Sequence, residues 1–518
     1  MRNRYLYITL MVVLGITPEM LIAQEKAHSA PRLVVNITID QLRTDYMEAF
    51  SPLYGEEGFK RLLSQGCVYD NASYPMNRID RASAMATLVT GVTPFYHSIV
   101  AEQWLDRETL RPVYCVGNTV ENTPQNIVTS TLSDELKAAT DGKAYVYAVA
   151  PTRDAAILSA GHAANGAFWI DDQTGLWNTS PYYMTELPAW ALGVNELEAP
   201  AKVIARLTWE PVADLSSSFS HHQQAASQKP FKHKFKGDRR LASLKASGMV
   251  NQFVTGMALR CLSDGGMGMD GVTDMLSVTY YAGMFDHKTL TDCQWELQDT
   301  YVRLDRELAQ LINGIQSRVG REHVLFVVTS TGYSDPEITD YAKYRIPTGT
   351  FYINRTANLL NMYFGAIWGQ GRWVESCFNN QIYLNHKLLE SKRVSITDAT
   401  TRAQEFLSQI AGIRNTYTSL QLIIGNNQEL AKVRNSFTPE RSGDILIEVA
   451  PGWKLLNEDN QQTEQSRASF TQFPVIFMGN GTKAERISTR MTVDRIAPTI
   501  AKSIRIRAPN ACSSEPLF

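Results

Sequence analysis

Asp40 ends the run Leu33-Val-Val-Asn-Ile-Thr-Ile-Asp40. β-branched and apolar residues that stop at an acid predict a central strand buried on both faces. The acid then stands at the carboxyl end of that strand, where open α/β sheets place their active sites. An Asp there can equally cap the next helix by accepting from its free N–H groups. Which role holds depends on the partners the chain supplies. Ser83 and Thr87, in the run Tyr74–Gly91, are hydroxyls that could attack an ester, and Asp335 and Asp340 could recruit a metal. Each also has a plainer reading: Ser83 is a small packing residue, and Asp335-Pro336 is a turn. The pair His221-His222 has no acid or Cys at ligand spacing, so the polar stretch 214–240 reads as a solvated loop.

The elements that must position Asp40 follow in order. Residues Gly58–Leu63 are helical, and small residues from Ala82 onward predict a tightly packed helix closed by Gly91 and Pro94. Tyr145–Ala150 is a strand, and Phe168–Trp177 reads as a hairpin with a Gly turn. Asp274–Tyr280 and Val324–Thr329 are strands joined by a helix on which Tyr301, Leu304, Leu308, Leu311 and Ile315 recur at three- and four-residue steps. A connection this long implies parallel pairing. The fold class is therefore α/β, a doubly wound, mostly parallel sheet. Residues 352–422 are mostly helical and form a cap insertion, after which Asp444–Val449 and Pro474–Met478 return to the sheet.

With 518 residues, 44% of them hydrophobic and a net charge of −2, the chain can bury a large core and offers no surface for nucleic acid. Arg2 and Arg4 precede the apolar run Leu6–Ile16, and Leu21-Ile22-Ala23 resembles a cleavage site, so residues 1–23 are expected to be a signal peptide. No later stretch is apolar for about 18 residues, so no transmembrane anchor is expected after cleavage. Export to the periplasm or the outer envelope follows. The six cysteines show no metal-ligand spacing and leave every disulfide pairing open.

Collinear motifs over nearly the whole mature chain resemble the alkaline phosphatase superfamily, specifically exported phosphate-irrepressible alkaline phosphatases and nucleotide pyrophosphatase/phosphodiesterases. They include Asp40-Gln-Leu-Arg-Thr-Asp-Tyr46, Ala86-Thr-Leu-Val-Thr-Gly-Val-Thr-Pro94, Ala156-Ile-Leu-Ser-Ala-Gly-His162 and Arg441-Ser-Gly-Asp-Ile-Leu446. The resemblance implies an alkaline phosphatase-like domain over 24–518 and a Thr nucleophile activated by two zinc ions at the carboxyl edge of the sheet.

Position by position, most of that chemistry is replaced. Asp40 matches a metal-binding Asp. The nucleophile's slot holds Arg81, which cannot attack because guanidinium stays protonated. Met85 stands where a His is usual. A phosphate-binding Asn becomes Glu102, and a phosphate-binding Lys-x-Arg falls on Thr152 and Asp154. Metal ligands fall on Tyr280, Met284, Thr331, Gly332 and, in a looser alignment, Thr463. A protein zinc site is worth ~10–16 kcal/mol in all, so losing most ligands should abolish it. The sequence thus predicts a catalytically inactive exported protein, with no cofactor, that binds a cell-envelope partner or ligand through its surface. Its alternative is a phosphatase, phosphodiesterase or sulfatase-type hydrolase with a rebuilt metal site, for which zinc would be the cofactor. Arg81 is expected to supply the positive charge beside Asp40 or Glu102, with Tyr280, Tyr281 and Met284 filling the remaining volume.

Overall fold

The computed structural model describes residues 29–118, 120–212, 231–334, 341–465 and 471–518. The proposed signal peptide, His221-His222, Asp335 and Asp340 lie outside them. Leu33–Asp40 (β1) is the middle of a ten-stranded sheet. Asp274–Tyr281 (β6) and Val324–Ser330 (β7) flank β1, both parallel to it and in register over nearly its full length. Beyond β6 lie Val146–Ala150 (β3) and Gly166–Ile170 (β4), again parallel, and Trp177–Asn178 (β5) closes the predicted hairpin. On the other side Phe473–Gly479 (β8) runs antiparallel between β7 and Cys67–Ser73 (β2). The core is the parallel block the sequence predicts, with an antiparallel flank.

The alternation of β1 explains its double burial. Leu33, Val35, Ile37 and Ile39 pack in one core with the helices Asn251–Ser263 (α4) and Leu290–Val319 (α5), including the predicted stripe Tyr301, Leu304, Leu308, Leu311 and Ile315. Val34 faces the opposite core. Beyond it Asn36 and Thr38 line a cavity of about 30 Å³ under the helix Arg81–Thr90 (α1). That face therefore grows polar toward the carboxyl edge, where Asp40 stands. The helix Arg153–Ala160 (α2) follows β3 and packs beside α1, where alanines on both helices permit close approach.

α1 begins where its sequence demands. Asp80 accepts from Ser83 N at 2.8 Å, and Ser83 Oγ accepts from Asp80 N at 3.0 Å, a reciprocal cap. It ends at Gly91, whose φ of +67° suits glycine, and a Cβ there would lie 2.8 Å from Cys512 Sγ.

Residues 352–422 hold the predicted helices but also strands. Val374–Phe378, Gln381–Leu384 and Ile413–Thr418 join Ile445–Val449 in a separate four-stranded sheet, which with the three-stranded sheet of Gly349–Tyr352, Trp453–Leu456 and Thr463–Gln465 makes a second lobe with its own hydrophobic core. The expectation that Asp444–Val449 returns to the main sheet is thus corrected: short apolar strands look alike whichever sheet receives them. Lys232-His233-Lys234 is also less loop-like than expected. His233–Lys234 pairs with Thr208–Trp209, and His233 sits against Trp209, Phe231 and Phe285 with Nε2 2.6 Å from Glu296. All six cysteines are free thiols. Among the described residues no helix is long and apolar enough to cross a membrane.

Candidate active site

Asp40 is buried at the carboxyl end of β1 and is not a helix cap, since the next helix starts at Thr44 with Arg43 as its cap residue. Gln41 takes φ +64° directly after it, bending the chain away and leaving the carboxylate at the cleft floor. Thr331 Oγ1 donates to Asp40 Oδ1 at 2.8 Å, and the Tyr333 hydroxyl donates to Oδ2 at 3.2 Å. Burial pushes the Asp40 carboxyl up, while the Arg81 charge and the two hydroxyls draw it down less strongly.

Arg81, the first residue of α1, is the cation of the site. Its Nε and Nη2 donate to the two Asp154 oxygens at 2.7 and 3.2 Å. Nη1 lies 3.7 Å from Asp40 Oδ2, and Nη2 lies 4.0 Å from Glu102 Oε2. The guanidinium is therefore within reach of both expected partners, yet its fork closes on a third. Burial works against the Arg81 charge, but Asp154 and the other anions outweigh it and hold the group firmly protonated. A cation at a helix start opposes the helix dipole, whereas Asp154, in the first turn of α2, is favoured by it. The pair ties two helix N-termini together. Burial would raise Asp154, but Arg81 prevails and holds it below the usual carboxylate range. Glu102, half-exposed at the rim, is pushed up to about 7 by burial and by the Asp154 charge.

The other positions fall out differently. Tyr280 and Met284 belong to the core under α4 and α5, with the Tyr280 hydroxyl 2.9 Å from Thr255 Oγ1. Tyr281 donates its hydroxyl to Met284 O at 2.7 Å. Gly332 has φ +70° and lies so close to Tyr74 that a Cβ would meet its ring at 2.5 Å. Thr152 precedes α2 and lines the cleft with Asp40 and Arg81. Thr463 is exposed, in a strand of the second lobe's three-stranded sheet. Ser83 and Thr87 are fully buried. Ser83 Oγ serves the α1 cap, and Thr87 Oγ1 bonds Ser83 O and His97 Nε2. Neither hydroxyl can reach a substrate, which corrects their candidacy as nucleophiles.

A model of the family described as type I phosphodiesterase / nucleotide pyrophosphatase matches residues 34–471. The chain belongs to that family. Over 96% of its length and 96% of the relative's it is 27% identical to alkaline phosphatase PafA of Elizabethkingia meningoseptica. It is 26% identical to alkaline phosphatase PhoV of Synechococcus elongatus over 93% of the chain and 91% of the relative. The crystal structure of wild-type PafA superposes with a TM-score of 0.79 at 25% identity, covering 94% of this chain and 98% of that one. This member of the type I phosphodiesterase family thus sits among phosphoric ester hydrolases. These relationships overturn the expectation of an inactive protein that acts only by binding, and favour its hydrolase alternative. They likewise overturn the expectation that no cofactor is involved, since alkaline phosphatases are the enzymes the sequence resemblance ties to zinc.

The donor set described here does not fit a two-zinc centre. Among the described residues no three His, Cys, Asp or Glu side chains are grouped to hold a metal. Asp40 is met instead by two hydroxyls and a guanidinium.

Sequence reasoning missed Asp154 as the partner of Arg81, and missed Tyr333 and Lys245 altogether. A signal for the first was present. Position 81 gains a positive charge where the family has Thr, and position 154 gains a negative charge where it has Arg. Two opposite reversals in one motif set point to a pair.

Proposed function

We propose that this protein hydrolyses a phosphoric ester in the cleft above the carboxyl ends of β1, β6 and β7. The observation that supports the reading most is the relationship to alkaline phosphatases over nearly the full length of both chains. The residues on the cleft suit a water-attack route. Glu102, with its carboxyl near neutrality and its side chain at the rim, takes a proton from water, whose oxygen attacks phosphorus as the ester oxygen leaves. Arg81 cannot act as nucleophile. It holds Asp154 and Asp40 in place and presents positive charge to the phosphoryl oxygens.

Export, supported by the amino-terminal run Leu6–Ile16, is part of this proposal, as is a cell-envelope partner for the region 352–422, whose helix Ile353–Trp368 exposes Leu359, Met362 and Ile367. The test is turnover of an aryl phosphate monoester and a bis-aryl phosphodiester by purified protein, with added zinc and with chelator. Turnover above buffer is expected, falling about 100-fold or more in Glu102→Gln, as loss of a general base predicts. No turnover under any metal condition would overturn the reading.

A further inference from the structure

Asp80 holds two segments with one carboxylate. Its Oδ1 accepts from Ser83 N and from Ser83 Oγ, each at 2.8 Å, which caps α1. Its Oδ2 accepts from Glu102 N at 2.6 Å, 22 residues along the chain. A cap needs only one oxygen, and Ser or Asn would supply it. The second oxygen of Asp80 goes outside the helix, to the backbone of the residue whose side chain stands beside Arg81.

Glu102 lies outside helix and strand, between the buried loop Ile99–Ala101 and the short strand Gln103–Leu105. Its backbone is nonetheless fixed on both sides. Asp80 takes the N–H, and the carbonyl accepts from Cys115 N at 2.8 Å. The side chain is left 48% exposed at the rim, with Oε2 4.0 Å from Arg81 Nη2. Arg81 directly follows Asp80 in the chain, so one side chain sets both the start of the arginine's helix and the place of the acid that faces it.

The same neighbours set the charge of Glu102. Burial and Asp154 push its carboxyl up, Arg81 opposes them, and Asp80 and Asp40 add to the rise. Tyr114 and Cys115 also face it, and burial keeps both of them neutral. Lys245, at the end of the helix Arg240–Lys245 (α3), lines the cleft but is paired with Asp172; the cation beside Glu102 is Arg81.

We propose that Asp80 is the positioning residue of the hydrolytic site, holding Glu102 at a set distance from Arg81 through the Glu102 backbone N–H. The proposal rests on the hydrolase reading for the role of Glu102 as base. A base must stand within hydrogen-bond reach of the water it deprotonates, and a misplacement of about 1 Å can cost about 100-fold in rate.

Asp80→Ser and Asp80→Asn test this in the full chain. Both residues are good caps, and each brings one side-chain oxygen, enough for α1 but not for Glu102 N as well. The chain is labelled with 15N,13C-glutamate, and the Glu102 signals are assigned by their loss in Glu102→Gln. Hydrogen exchange at the Glu102 amide should quicken about 10-fold or more in both variants, because its acceptor is gone. The Glu102 carboxyl midpoint should fall from about 7 by about 0.5–1 unit, as removal of a like charge predicts. Turnover of an aryl phosphate should fall about 10-fold or more in Asp80→Ser. The same substitution made in Glu102→Gln should cost less than about 2-fold further, because a residue that acts through Glu102 has nothing left to act on there. A plain helix cap would subtract the same factor in both backgrounds. An unchanged Glu102 amide or midpoint in both variants, or losses that multiply in the double variant, would overturn the proposal. If one variant does not fold, the other carries the test. Faster amide exchange and a lowered midpoint in protein that turns over no ester would leave Asp80 as the residue that holds Glu102 and remove only the hydrolase reading.

Discussion

Two buried aspartates in this protein are gripped by arginine forks, and they are put to different use. Asp444, at the junction of the second lobe with the loop after Gln103–Leu105, accepts from Arg107 at 3.0 and 3.3 Å. It also lies 2.9 Å from His386 Nε2 and accepts Leu384 N at 2.8 Å. Burial raises it, but His386 and Arg107 together bring it below the usual range. Its charge is closed by its neighbours, and the cluster is a clamp between lobes. Asp154 has Arg81, but Arg81 also serves Asp40 and stands within 4.0 Å of Glu102. One cation among three carboxylates leaves an excess of negative charge, and burial together with that excess keeps the Glu102 proton near neutrality. A buried ion pair whose charges cancel is architecture. One whose charges do not cancel is poised to do chemistry.

The largest test of this contrast is to remove each cation. Arg81→Met leaves Asp154 fully buried without a counter-charge and should cost about 3–5 kcal/mol in urea unfolding at neutral pH. The loss should shrink in acid, because a carboxylate held low in the fold contributes stability above its unfolded pKa and loses it as pH falls through the folded one. Arg107→Met should cost less, about 2 kcal/mol, since Asp444 keeps Leu384 N and His386. Equal costs would erase the distinction between clamp and site.

A smaller effect sharpens it. Glu102 is raised in the fold, so its proton binding favours the folded state fully below the unfolded carboxyl pKa, and this contribution is lost as pH rises through about 7. Glu102→Gln should therefore match the parent near pH 4 and exceed it by about 1 kcal/mol at pH 8, a figure reduced for the solvent screening of a half-exposed side chain. Parity at both pH values would mean the carboxylates do not sense one another.

The smallest test lies on the polar face below. Asn36 Oδ1 and Thr329 Oγ1 line the cavity under α1 without a hydrogen-bond partner. Thr329→Val keeps the shape, removes an unsatisfied buried hydroxyl, and should stabilise by about 1 kcal/mol. Destabilisation would show that the hydroxyl is satisfied in solution.

Much of the scaffold was readable along the chain. The apolar run of β1, the Gly91 end of α1 and the heptad-like stripe of α5 are encoded by neighbours a few residues apart, and they formed as read. The same logic misread Asp444–Val449, because an apolar run states that it is buried and not by which sheet. The site was legible as a set of positions. The end of the first strand pointed to Asp40, and the resemblance to the family's motifs led to Arg81, Glu102 and Asp154, all of which the fold brings together.

What those positions do to one another was decided only in three dimensions. The fork of Arg81 chose Asp154, 73 residues away, over the two acids expected for it. Ser83 and Thr87 lost their candidacy to burial, and Lys245, beside an unpromising polar stretch, turned inward to the cleft. The reason is physical. Strand periodicity and helix capping depend on residues that are close in sequence, so the chain alone determines them. The strength of a charge pair and the cost of removing a charge from water depend on distance and dielectric, which exist only once distant segments have packed.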